Sequence, residues 1–462
     1  MAFALVRMPL VYDETINYNE TALRGPVYTM THGGFNNHVL YALLMSLLPH
    51  SWVFREPFLM RLPNLTIGVG LFALVYRCVE TALGNALTNR VTRAFQIILA
   101  TAVLLASSQL IYYYLVGRGY LLGCTLMVAA IYFRQTRFPA WWSDILLALS
   151  GYALFTSVYV WPGLLVVDLV DGDASSVAIK RVLARWLRST GVLFVLYLPL
   201  VGAMRAESLD YRTFTAPFAY TRRLLDITFN WHPMSSLLVI GAVASGVGAY
   251  LVSRVTLPSR SRIDRPAFLL GGYLSAAICA FIAVSELTNR LQIVQTPYTR
   301  NAMFFSLFAV LTIALLAGAS IREQSFTTVG GALRLAVSTF AAAVLAINAV
   351  ETVAAIGPPL LNAQYLRSPI GVADCPVPIT NRFLQSLPKG AEIFCGGYAS
   401  SVCWTFRPSM TRAGLSYFLL GDDAFDREPR VKDCWSGIVP GDRSCSLYVR
   451  PTKRSPFQPL CY

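Results

Sequence analysis

The sequence predicts an all-α polytopic membrane protein, carrying a small α/β domain at its C-terminal end. Three observations predict it. Of 462 residues, 55% are hydrophobic and only 13% are charged, against about 25% charged in an ordinary soluble domain. The mean hydropathy is +0.53. The Lys and Arg residues behind the formal charge of +14 punctuate apolar runs rather than forming one basic module. That distribution excludes a nucleic-acid-binding domain and fits loops that set topology and meet anionic lipid heads. The excess of arginine over lysine also fits a GC-rich bacterial genome.

Met1 to Val11 is apolar apart from Arg7. It is much shorter than the roughly twenty residues of a spanning helix, so an incomplete first span is expected there. A polar segment follows, beginning Tyr12-Asp13-Glu14 and including Asn36-Asn37-His38. We take residues 12–62 as the first outside loop. Within it, Val39 to Leu48 is apolar but too short to cross a bilayer, so it reads as an interfacial or re-entrant helix.

Spans are expected near 63–83, 94–116, 119–135, 187–204, 234–256, 266–286, 301–320 and 331–350. The stretch 144–171 is interrupted by Trp161-Pro162-Gly163 and reads as a hairpin of two short helices. With the incomplete first span the total is about ten or eleven. Alternation from an outside first loop puts Arg77, Arg90 and Arg93 inside, then Arg134 and Arg137. Lys180, Arg181, Arg185 and Arg188 follow inside, as do Arg254, Arg260, Arg262, Arg265 and Arg322. This is the positive-inside pattern.

The same alternation leaves the C-terminal segment outside. Cys375, Cys395, Cys403, Cys434, Cys445 and Cys461 fall there, and an even set of six suits up to three disulfides, which persist outside a reducing cytoplasm. No Cys-x-x-Cys pair and no His accompany them, which disfavours zinc. Short runs at 391–394 and 446–449 read as strands among turn residues. The chain therefore divides into a transmembrane domain, 1–350, and an extracytoplasmic cysteine-rich domain, 351–462.

Acids, amides and a histidine in the first outside loop of such a chain point to chemistry. Asp13 is a candidate general base for an acceptor hydroxyl. Glu14 beside it would raise one of the two carboxyl pKa values unless a cation or an arginine compensates. The pair also leaves room for a divalent cation, magnesium or manganese, although the spacing does not establish one. Asn36 and Asn37 suit helix capping or substrate contact, and His38 suits hydrogen bonding or metal ligation. Outside arginines run against the topology rule, and phosphate recognition explains them. They are Arg118 in Arg118-Gly119-Tyr120, Arg222, Arg223, Arg290 and Arg300, the last two flanking Gln295-Thr296-Pro297-Tyr298. Tyr112-Tyr113-Tyr114 and Trp161 read as an interfacial aromatic belt.

Taken together these motifs resemble the GT-C membrane glycosyltransferases, especially the protein O-mannosyltransferase and aminoarabinose-transferase-like superfamily. Asp13-Glu14 resembles its first-loop acids, and Asn36-Asn37-His38-Val39-Leu40-Tyr41 its Asn/His-Pro-Leu segment, with Val39 where Pro is common. Arg61-Leu62-Pro63-Asn64 resembles its Arg-Leu-Pro-Ser segment and Arg118-Gly119-Tyr120 its Arg-containing turn. The resemblance covers residues 10 to 170 by motif and the later spans by layout.

It implies a GT-C-like fold in the bacterial inner membrane, with the active site on the periplasmic side. It implies transfer of a hexose or pentose from a polyprenyl-phosphate donor, with inversion, to an extracytoplasmic glycan, lipid or protein. Asp13 would be the catalytic carboxylate, supported by Glu14. Arg118, Arg222, Arg223 and Arg300 would hold the donor phosphate. Asn36, Asn37, His38, Tyr120 and Tyr298 would line the substrate site. Two other readings compete: a transporter or flippase for lipid-linked sugars, which would want ionisable residues at mid-span, and a membrane scaffold displaying the cysteine-rich tail.

Overall fold

The structure is a computed structural model. It describes residues 14, 17–18, 21–32, 38–83, 90–106, 108–135, 138–171, 176–201, 221, 265–291, 303–322, 343, 345–347 and 349–354. It also describes four strands near the C-terminal end. Apart from those strands, the regular structure is helical. The helices are α1 (Pro26–His32), α2 (Val39–Ser46), α3 (His50–Arg55), α4 (Leu62–Leu83), α5 (Arg90–Leu105), α6 (Ser108–Leu115) and α7 (Tyr120–Gln135). Then come α8 (Ala140–Ala153), α9 (Trp161–Asp171), α10 (Ser176–Tyr197), α11 (Arg265–Leu291) and α12 (Met303–Arg322).

Several expectations hold closely. The helix expected from 63 begins at Leu62, and the one expected over 119–135 is α7. The hairpin over 144–171 is α8 and α9, joined by a 3-10 segment, Phe155–Val160, with Trp161-Pro162-Gly163 opening α9. Pro162 fits there because the first turn of a helix needs no N–H from it. The short helix expected from Val39 is α2, starting one residue after His38.

Other expectations need correction. The single span over 94–116 is two helices, α5 and α6, interrupted after Leu105. Helix α10 starts at Ser176 rather than near 187. Its first turns carry Lys180, Arg181, Arg185 and Arg188, which a hydropathy reading assigns to a loop, yet it buries Trp186 and Ser189 on one face. Tyr112, Tyr113 and Trp161 are packed inside rather than forming a belt. The ring of Tyr113 lies 4.3 Å from that of Tyr120, tilted by 44°, and Trp161 lies 5.7 Å from Trp186. The residues at 234–256 and most of 331–350 lie outside the described residues, as do Met1–Val11.

Among the described residues, two helical stretches are long and apolar enough to cross a membrane, Phe58–Thr81 and Leu269–Thr288. Helix α4 is the hub of the bundle, with α5, α7, α11 and α12 packed around it. Helix α7 packs along α8, α8 against α10, and α9 against α11. The α9–α11 approach depends on Gly163: a Cβ there would sit 2.1 Å from the carbonyl oxygen of Ala276. Backbone cannot yield as a side chain can, so Gly163→Ala forces the helices apart. Overpacking of this kind costs about 1–3 kcal/mol, more than the roughly 1 kcal/mol that alanine gains in helix propensity. A lowered melting temperature of the detergent-solubilised variant is the expected result.

Buried polar groups gather in two poles at opposite ends of the bundle. One is built on the C-terminal end of α7, where Arg134 pairs with Asp168 of α9 and donates from Nε to Ser143 Oγ at 3.1 Å. Trp186 Nε1 donates to Asp168 Oδ2 at 3.1 Å, and the Tyr273 hydroxyl donates to Oδ1. Asp144 beside them meets Arg185 and Arg188, each at 3.4 Å. Five helices, α7 to α11, are tied together there. The other pole lies at the N-terminal ends of α4 and α7.

The strands β1 (Glu392–Gly396), β2 (Ser416–Leu420), β3 (Ser436–Gly437) and β4 (Tyr448–Arg450) form one sheet in the order β2-β1-β4-β3. β1 runs parallel to β2 and antiparallel to β4. The two runs read as strands at 391–394 and 446–449 correspond to β1 and β4. Cys375, Cys403, Cys434, Cys445 and Cys461 lie outside the described residues, and Cys395 is described only as backbone in β1. Cys78, Cys124 and Cys279 are free thiols.

Candidate functional site

Glu14 is fully buried beside an equally buried Arg61, just before α4. Arg61 Nε donates to Glu14 Oε1 at 2.7 Å and Nη2 donates to Oε2 at 2.6 Å. This bidentate fork is the strongest geometry open to a carboxylate and a guanidinium. Glu14 Oε1 also accepts the backbone N–H of Gly117 at 2.6 Å. The partner of this carboxylate is thus Arg61, a residue 47 positions away. Both carboxylate oxygens are engaged, so Glu14 anchors Arg61 and the backbone at Gly117.

Gly117 opens the turn Gly117-Arg118-Gly119 between α6 and α7. The N–H of Arg118 donates to Val116 O at 2.8 Å, closing a three-residue turn. Asn64 of α4 donates its amide to Val116 O and, at 3.1 Å, to Tyr113 O. Carbonyls left over at the end of α6 are thus satisfied by a side chain. Both glycines are required by close approach. A Cβ on Gly117 would lie 2.9 Å from Met60 O and 3.0 Å from Glu14 Oε1, and one on Gly119 would lie 2.7 Å from His38 Cβ and 3.0 Å from Ala153 O.

His38 stands at the N-cap of α2 in the left-handed region, with φ 45° and ψ 59°. Its ring meets Tyr120 edge-on at 4.3 Å, and Nδ1–H donates to Ala153 O at 3.3 Å. Arg118 is buried at the N-terminus of α7, and its Nη1 donates to the Tyr120 hydroxyl at 3.2 Å. Tyr41 of α2 donates its hydroxyl to Met60 O at 2.9 Å. Burial first, and the negative charge of Glu14 second, push its phenol well above the ordinary tyrosine value, so it stays a donor at neutral pH.

The pole therefore joins a permanently charged guanidinium, a helix N-terminus, a histidine and a tyrosine. Guanidinium at a helix N-terminus suits a phosphate. Behind the turn, an apolar cavity of about 300 Å³ opens between α4, α5, α6 and α7, with Gly68, Leu71, Leu105, Tyr114 and Leu121 in its wall.

Of the residues singled out from the sequence, Glu14, His38, Arg118 and Tyr120 are brought together here. Asp13, Asn36, Asn37, Arg222, Arg223, Tyr298 and Arg300 lie outside the described residues. Among the described residues no group of His, Cys, Asp and Glu is arranged to hold a metal ion. Gly117 went unnoticed in the sequence, although glycines on both sides of an arginine mark a backbone pressed against its neighbours.

No protein-family model matches the chain, and no curated protein matches it significantly. Among solved structures, the crystal structure of ArnT from Cupriavidus metallidurans bound to undecaprenyl phosphate overlaps 98% of this chain and 96% of its own. The overlap has a TM-score of 0.40 at 12% identity, too loose to carry an argument about this chain.

Proposed function

We propose that the protein is an integral-membrane glycosyltransferase of the GT-C kind. It moves a sugar from a polyprenyl-phosphate donor to an extracytoplasmic acceptor, with Asp13 as catalytic base. One observation carries this reading. The four segments that make up the family resemblance are far apart in sequence, yet Glu14, His38, Tyr41, Arg61, Asn64 and the Arg118 turn meet in one buried network. Motifs matched by chance have no reason to converge.

Each part has a chemical use. Arg118 at the start of α7 would take the negative charge that grows on the leaving lipid phosphate, where a fixed donor helps most. The neighbouring apolar cavity suits a lipid chain. Membrane embedding is supported by composition and by outward-facing apolar side chains such as Ile98, Leu187, Phe194 and Val195, all exposed, a pattern that water penalises and lipid does not. The rest of the reading is an extracytoplasmic α/β tail with disulfides, a bacterial inner-membrane location, and Arg222, Arg223, Arg300 and Tyr298 as further donor contacts. All of it rests on the sequence. Among the described residues the buried charged side chains Glu14, Arg61, Arg118, Arg134, Asp144, Asp168 and Glu286 lie towards the ends of the bundle, which does not favour the flippase reading.

The test is transfer by the purified full chain from radiolabelled polyprenyl-phosphate hexoses and pentoses to envelope glycan, lipid and protein acceptors. Label moving to an acceptor is expected. Movement of the labelled lipid between leaflets without any transfer would replace this reading by the flippase.

A further inference from the structure

Helix α11 carries a buried carboxylate that the network around Arg118 does not use. Glu286 is 7% exposed, five residues after Phe281. One of its oxygens is fully engaged: Oε1 accepts the backbone N–H of Thr221 at 3.0 Å and the Thr221 hydroxyl at 2.6 Å. The other, Oε2, is buried and has no hydrogen-bond partner among the described residues. Leaving a buried charged acceptor unmet is costly, and a group held in that state calls for an explanation.

Its place in the bundle supplies one. The 3-10 segment Phe155–Val160 packs on α11, with Tyr159 6.2 Å from Phe281 ring to ring. That segment begins two residues after Ala153, whose carbonyl receives His38 and sets the limit on Gly119. Glu286 is therefore at the same pole as the Arg118 turn, at the far end of α11 from Tyr273 and Asp168. Thr156 Oγ1 and Ser157 Oγ on the 3-10 segment and Ser285 Oγ on α11 are likewise buried without partners among the described residues. Unmet hydroxyls and a half-used carboxylate on two packed elements are what a polyhydroxylated ligand would complete.

The geometry points to Glu286 as a sugar-binding residue whose Oε2 accepts a hydrogen bond from a hydroxyl of the transferred sugar, with Thr221 as the positioning residue that fixes the carboxylate. This rests on the reading of the chain as a transferase for lipid-linked sugars, and names the residue that distinguishes the sugar from the lipid phosphate. Glutamine is a sharp probe of it. Thr221 N–H must still face an acceptor, so the amide of Glu286→Gln is forced to put its oxygen at Oε1 and its NH₂ at Oε2. The acceptor becomes a donor with almost no change of shape.

The experiment measures binding of bare polyprenyl phosphate, and of a panel of polyprenyl-phosphate hexoses and pentoses, to the full chain in lipid nanodiscs. The wild type is expected to bind at least one sugar-bearing lipid more tightly than the bare phosphate. Glu286→Gln is expected to lose about 10- to 100-fold of that sugar-dependent gain, the worth of a hydrogen bond to a charged group, and to bind bare polyprenyl phosphate as before. Thr221→Val is expected to lose a smaller part, and carries the test if the glutamine variant does not fold. An unchanged gain in Glu286→Gln, or in Thr221→Val where that variant stands in, overturns the inference and leaves the proposed function intact. Wild type that binds bare polyprenyl phosphate without any gain from a sugar also overturns it. Wild type that binds none of these lipids sinks the proposed function itself, and the inference with it.

Discussion

Glu14→Ala is expected to destabilise the protein by about 3–5 kcal/mol, the usual cost of leaving one member of a buried ion pair uncompensated. Arg61 is 1% exposed, so its charge cannot turn to water when the carboxylate goes. The N–H of Gly117 loses its acceptor in the same step. Arg61→Ala should cost a similar amount for the mirror-image reason. The double replacement Glu14→Gln with Arg61→Met should cost less than either single change, because no buried charge is stranded. Thermal melting of the four proteins in one detergent measures this ranking. Equal stability of wild type and Glu14→Ala would remove the anchor role.

Asp13→Asn is expected to behave in the opposite way. A positioned carboxylate that takes a proton from the acceptor contributes about 10²- to 10⁴-fold to rate, and asparagine cannot take that proton. Turnover from the polyprenyl-phosphate sugar should fall by that factor while the melting temperature and bare-lipid binding stay at wild-type values. Adjacent acids would then have separable readouts, stability for Glu14 and rate for Asp13. Wild-type turnover in Asp13→Asn would end its assignment as the base.

The elements legible in the residues alone are those with one dominant signal. An apolar run of span length placed α4 and α7, and Trp161-Pro162-Gly163 marked the division between α8 and α9 because proline tolerates only the first turn of a helix. Hydropathy alone could not say which way a side chain faces. Tyr112 and Tyr113 had the composition of a membrane-interface belt and are in fact core. The start of α10 was hidden because its four cations look like a loop until Trp186 is seen packing on the opposite face. The break between α5 and α6 follows Leu105 with neither Pro nor Gly in the sequence to announce it.

Legibility of the site followed the same division. Charge patterning singled out Arg118, and the acid pair singled out Glu14, but pairing partners 47 and 103 residues distant leave no trace in local spacing. Glu286 stood in an apolar run with no motif around it, and only burial beside Thr221 exposes its half-used carboxylate.

The two polar poles also set a thickness. From Tyr120 to Arg134 along α7 is about 21 Å at 1.5 Å per residue, and from Tyr273 to Glu286 along α11 about 20 Å. A typical hydrocarbon layer is about 30 Å deep. A bilayer around these helices must pinch inwards, or the poles must sit below the headgroup plane, and either adjustment costs energy that grows with mismatch. Reconstitution in lipids of increasing acyl-chain length should therefore lower the melting temperature step by step. Where the bilayer pinches, the proposed meeting of a lipid-carrier phosphate with Arg118 would need a shorter path for the sugar to be drawn in from the surface.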